Sequence, residues 1–182
     1  MRSTLFLTVA LCVLSACASA PKIDYYTLGM ESSGRVDSAI NISVERLRTT
    51  EALGRSQIMV LASPTRVDYY ATSHWAGSVG EQVQQKLAAE FGPPVEGRRT
   101  LVISGKVLAC EQVDGPGGAE ARVKLEIAVR DAEVARYQPA VLEKSYASRR
   151  SVSGSNPGSV VEGLSRCVEE IAAEIADDLS AL

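Results

Sequence analysis

The stretch ARVKLEIAVRD, residues 121–131, is the most regular pattern in the chain and decides its fold class. Ala121, Val123, Leu125, Ile127 and Val129 alternate with Arg122, Lys124, Glu126 and Arg130. Successive side chains of an extended strand point to opposite faces, so a period of two places one face in a core and the other in water. A strand of this kind belongs to a sheet covered on one side only, the usual state of antiparallel and mixed sheets.

Working outward, Asp114-Gly115-Pro116-Gly117-Gly118 reads as a turn. Before it, Leu101, Ile103, Val107 and Ala109 share one face of a second long strand, interrupted by Gly105. The turn is no phosphate cradle, because no Lys-Ser/Thr follows it. Shorter strands are expected at 24–28, 40–47, 57–62 and 66–71, with 48–56 as a polar connection; one more, at 141–151, follows Gln138-Pro139. A helix over 75–91 carries Val79, Val83, Leu87 and Phe91 on one stripe. Ser78 and Glu81 have capping-box spacing, and Gly92-Pro93-Pro94 stops the helix. Asn156-Pro157 opens a last helix, as a capping residue followed by proline at the first helical position. Its stripe is Val160, Leu164, Val168, Ile171, Ile175 and Leu179. The expected fold is α+β: a two-layer sandwich, with a mixed or antiparallel sheet of five to seven strands and two helices packed on one face.

The amino terminus reads differently. Arg2 precedes an uncharged apolar run from Leu5 to Leu14, about half the roughly 20 residues that a spanning helix needs. Leu14-Ser15-Ala16-Cys17 then looks like a bacterial lipobox. In that motif the cysteine sulfur takes a diacylglycerol, the signal is cut off just before it, and the new amino group is acylated. Residues 1–16 are therefore expected to be a signal peptide, 17–22 a lipidated tether and 23–182 a single domain. Each buried methylene contributes about 0.8 kcal/mol, so two or three acyl chains on Cys17 would hold the chain on a membrane. Ala18 stands where lipoproteins kept at the inner membrane usually carry aspartate, which points to the periplasmic face of the outer membrane.

Removing residues 1–16 from the 182 leaves 166, with 18 basic and 22 acidic side chains. No basic cluster stands out, which argues against a nucleic-acid partner. Cys12 leaves with the signal and Cys17 is acylated, so Cys110 and Cys167 remain. They read either as a disulfide, worth about 4 kcal/mol in the chain-entropy model, or as two small buried hydrophobes. Cys167 flanks the stripe of the last helix, but Cys110 has the opposite parity to Ile103 and Val107 and should face away unless a bulge intervenes.

Little in the chain suggests catalysis. His74 is the one histidine, no G-x-S-x-G elbow occurs, and no zinc-ligand spacing is present. No catalytic, cofactor-binding or metal-binding residue is expected. Tyr25-Tyr26, Tyr69-Tyr70 and Trp75 hold most of the aromatic content. They read as core packing with a hydrogen-bonded surface ring or, more sharply, with Tyr69, Tyr70 and Trp75 as an outward patch for a partner or a lipid.

The chain resembles the ABC-type transport auxiliary lipoprotein family. The resemblance rests on the lipobox followed by Tyr25-Tyr26-Thr27-Leu28, then Ile42-Ser43-Val44, Leu53-Gly54-Arg55-Ser56-Gln57-Ile58, Trp75-Ala76 and an alanine- and isoleucine-rich last helix. It departs from the family pattern at Gly77-Ser78-Val79, where an acidic or polar residue, proline and leucine usually stand. The resemblance implies a non-catalytic envelope subunit that meets an MCE-family periplasmic protein and, through it, an ABC permease and ATPase moving lipids or other apolar molecules between membranes. A homo-oligomer is compatible with it. The other reading is a structural or assembly lipoprotein of another envelope or secretion complex that handles no lipid.

Overall fold

The computed structural model describes residues 20–34, 36, 39–134, 138–154 and 156–181. Its spine is a long hairpin: β6 (Thr100–Gly115) and β7 (Gly118–Asp131) run antiparallel from Leu101–Asp131 to Gly115–Gly118. The alternation that singles out residues 121–129 is kept: Ala121, Val123, Leu125, Ile127 and Val129 are buried, while Lys124 and Glu126 are exposed.

The free edge of β6 is filled by one continuous stretch of chain. β2 (Asn41–Val44) pairs with Thr100–Ile103, β3 (Arg48–Thr49) with Lys106–Val107, and β4 (Gln57–Ser63) with Gln112–Val113, all in parallel. β5 (Arg66–Trp75) returns antiparallel to β4. β1 (Asp24–Tyr26) lies parallel to the end of β5, and β8 (Leu142–Ser151) closes the far side against β7. The order across the sheet is β1-β5-β4-β6-β7-β8, with β2 and β3 ahead of β4 along β6. Among the described residues the sheet has eight strands, where about five to seven are expected; β3 lies in the segment read as a polar connection, because two residues leave no alternating pattern to read.

Two helices cover one face. α1 (Val79–Phe91) starts where Ser78 accepts a hydrogen bond from the Glu81 amide at 3.3 Å and stops at Gly92, whose φ of 74° suits glycine. It begins four residues later than its apolar spacing suggests. Trp75 is instead the last residue of β5, its amide donating to Ser56 O at 2.7 Å. α2 (Pro157–Ser180) begins at Asn156, whose side chain accepts from the Gly158 amide at 2.8 Å. Val79, Val83 and Leu87 of α1 meet Val160, Leu164, Val168, Ile171 and Ile175 of α2 in one core over the inner face of the sheet.

Two backbone details shape that face. A Cβ on Gly105 would stand 2.0 Å from the Glu126 carbonyl oxygen, so only glycine lets β6 and β7 approach there. Two residues on, Val107 pairs with Leu125 and Ala109 with Lys124, leaving Leu108 as the extra residue of a β-bulge. The bulge reverses the parity of everything after it in β6.

Candidate functional site

Cys17 lies outside the described residues. The chain enters the sheet at its edge strand β1, where Ile23 is 43 % exposed and Tyr25 65 %. Tyr25 meets the His74 ring edge-on at 6.0 Å, and Ser56 Oγ lies 3.3 Å from His74 Nδ1. The segment after β1 is strapped over both helices. The Leu28 amide donates to Gln82 Oε1 at 2.9 Å, the Gly29 amide to Ser165 Oγ at 3.0 Å, and the Ser33 amide to the Glu90 carboxylate at 3.0 Å.

The aromatic residues do not form one outward patch. Trp75 is a core residue, 4 % exposed, because it ends β5 beside Tyr26 instead of opening a helix. Tyr69 is half-buried; its phenol donates to Ala52 O at 3.0 Å and the Arg55 guanidinium lies 4.6 Å over its ring. Tyr70, its neighbour, donates to Gln112 Oε1, and burial holds its phenol above the ordinary value. Of the aromatic pairs, Tyr25 presents the most open ring.

Cys110 and Cys167 are free thiols, both buried. The bulge at Leu108 brings Cys110 opposite Val123, so it faces the core after all, where burial pushes its thiol far above the ordinary value. The Cys167 thiol, also raised by burial, donates to Ala121 O at 3.7 Å. The structure thus holds two small buried groups and no bridge between them. Burial disfavours the thiolate form of both.

A feature the sequence does not announce lies between the strap and the helices. An open groove of about 700 Å³ is floored by Leu28, Lys86, Val161, Ser165 and Glu169. Lys86 is 1 % exposed; its ammonium donates to Glu90 Oε1 at 2.6 Å and Glu31 O at 2.6 Å, and pairs with Glu169 Oε1 at 3.1 Å. Arg166 also pairs with Glu169 at 3.1 Å. Burial works against ionisation of Glu90, but the Lys86 ammonium and the Ser33 hydroxyl and amide outweigh it, and the carboxyl lies below its usual range. Two hydrogen bonds and an ion pair surround the ammonium, so the cluster acts as a clasp joining strap, α1 and α2. Lys86 and Glu90 are four apart, a spacing that alone reads as an exposed helical ion pair. The available signal was their place beside the apolar stripe, one residue before Leu87 and one before Phe91.

On the other side of the sheet Glu111, 1 % exposed, is held by Arg122 across the β6–β7 hairpin. Among the described residues no three His, Cys, Asp or Glu side chains gather as a metal site would require, and no helix is long and apolar enough to cross a membrane.

An open sheet of eight strands under two helices, entered from one edge and clasped by its own N-terminal strap, is an α+β architecture found in other solved structures. An uncharacterised protein shares it with a TM-score of 0.64 at 13 % identity, over 87 % of this chain and 99 % of that one. A Xanthomonas campestris protein shares it with a TM-score of 0.66 at 11 % identity, over the same shares. No curated protein matches the chain. The model of the ABC-type transport auxiliary lipoprotein component matches residues 26–176, and the chain belongs to that family. It is an auxiliary lipoprotein of an ABC-type transport system.

Proposed function

We propose that the chain is a non-catalytic subunit anchored through acylated Cys17 to the periplasmic face of the outer membrane. There it meets an MCE-family protein whose permease and ATPase move lipids or other apolar molecules between the two membranes. The observation that carries this reading is the family match over residues 26–176, which spans every element from the end of β1 to most of α2. The lipobox at Leu14–Cys17 supports the anchor, and Ala18 supports the outer membrane. The site geometry is in keeping with a docking role: polar groups of the strap and groove are tied to one another, leaving surfaces to be recognised. The energy of transport would come from the ATPase, because this chain carries no Walker-A stretch.

Affinity purification of the full chain from detergent-solubilised envelopes tests the reading. Recovery of an MCE protein together with a permease and an ATPase is expected. Recovery of a secretion channel in their place would transfer the chain to an assembly role without lipid handling.

A further inference from the structure

The far edge of the sheet carries a pattern that the transport reading does not use. β8 is ten residues long, and among the described residues only β7 pairs with it. The Val152 amide donates to Ala119 O at 3.0 Å. Ladder bonds alternate along an antiparallel strand, so the even-numbered residues of β8 face β7. Glu143, Ser145, Ala147 and Arg149, all exposed, then direct their amides and carbonyls to the open side. An edge of this length is a template for another strand unless something covers it.

The charges on β8 say which strand fits. On the outer face Glu143 stands 3.6 Å from Arg130 of β7, and Arg149 stands 3.9 Å from Glu120. We propose that two copies of this chain pair antiparallel through β8, about a two-fold axis normal to the sheet that passes between the two Tyr146 residues. This register sets Glu143 opposite Arg149 and Ser145 opposite Ala147 of the second copy. It pairs the same odd-numbered residues whose backbone groups are free. Across the seam the charges run Arg130, Glu143, Arg149, Glu120, alternating in sign, and the two-fold repeats the series. A slip of two residues sets Glu143 opposite Ala147 or Ser151 and loses the match.

The inner side of the strand does not oppose this. Lys144 is held by Asp178 at 2.7 Å and Arg150 by Glu170, so neither presents an unpaired like charge to its copy. β1 is at the opposite edge of the sheet, so the N-terminal entry leaves the seam clear. A rotation about an axis normal to the sheet keeps both N-terminal edges at one height, which lets both chains reach the same membrane. The pairing stands apart from the transport assignment and would hold for any envelope role.

The test is cross-linking of the full chain in its own membranes. Ser145→Cys combined with Ala147→Cys, under mild oxidation, is expected to give a covalent dimer on a non-reducing gel. Cys110 and Cys167 are buried and do not compete. Adding Glu143→Arg places like charges opposite each other twice and should lower the dimer yield about tenfold, as should adding Arg149→Glu. Combining both reversals again sets an arginine opposite a glutamate across the seam and should restore the dimer. Both side chains are well exposed, 68 % and 57 %, so the single variants keep the fold. A cross-linked yield indifferent to the single reversals overturns the proposal. So does an oligomer or a monomer that never cross-links between positions 145 and 147.

Discussion

At the scale of single residues, Lys86 is the most consequential side chain in the molecule. It is an ammonium taken out of water and balanced by two carboxylates and a carbonyl. Removing one partner of such a group leaves uncompensated buried charge, which typically costs about 3–5 kcal/mol. Lys86→Met is therefore expected to lower the urea midpoint by that much free energy, and a midpoint near the parent's would show that the clasp contributes little. Glu90 makes the same contact sensitive to acid. Burial raises its carboxyl and the Lys86 and Ser33 bonds lower it further, so the folded value sits below the ordinary 4.5. A depressed carboxyl stabilises the fold above its unfolded pKa and loses that contribution as pH falls through the folded one. The stability advantage of the parent over Glu90→Gln should accordingly shrink as pH falls through and below the ordinary carboxylate range. Equal slopes for the two proteins would contradict it. The thiols give a third check: Cys110 and Cys167 should react with a thiol reagent only as fast as the whole domain opens, and quick labelling under native conditions would show that one of them is surface-accessible.

At the scale of elements, what was legible followed from one-sided environments. β7 could be read directly because every second residue meets the core. The cap of α1 and the start of α2 could be read because Ser78 and Asn156 carry their hydrogen bonds locally. The parity of Cys110 could not, because it depends on Leu108 being left out of the ladder, a property of how β6 and β7 pair and not of β6 itself. The start of α1 was misplaced for a similar reason: Trp75 is claimed by β1 and the Ser56 carbonyl, partners far away in sequence. The junction of α2 with the sheet is tighter than its apolar stripe suggests. A Cβ on Gly163 would lie 2.7 Å from Val152 Cγ1 and 2.8 Å from Ala121 Cβ. Overpacking of this kind costs about 1–3 kcal/mol. Gly163→Val should destabilise the protein by that order in chemical denaturation, although valine is a better helix former than glycine. A stabilised variant would mean that α2 can ride up from the sheet.

At the scale of the whole molecule, the layering was legible and the topology was not. Two amphipathic helices and a sheet wet on one face leave few arrangements other than helices over the inner face. That β2, β3 and β4 should lie in file along β6 is set by parallel pairing between segments some 50 to 60 residues apart, for which no local residue pattern exists. The same limit governs the candidate site. Tyr69, Tyr70 and Trp75 are neighbours in sequence, yet the fold divides them between the core and half-buried, bonded positions. The groove gathers Leu28, Lys86 and Glu169 from three distant parts of the chain. Family membership and a lipobox together make attachment to a membrane the property on which the functional account rests. The mass of the chain extracted from membranes with detergent measures it most directly. The account predicts a mature protein that begins at Cys17 and is heavier than its residues by a diacylglycerol and a further acyl group. A chain retaining residues 1–16, or one with an unmodified Cys17 thiol in the soluble fraction, would contradict it.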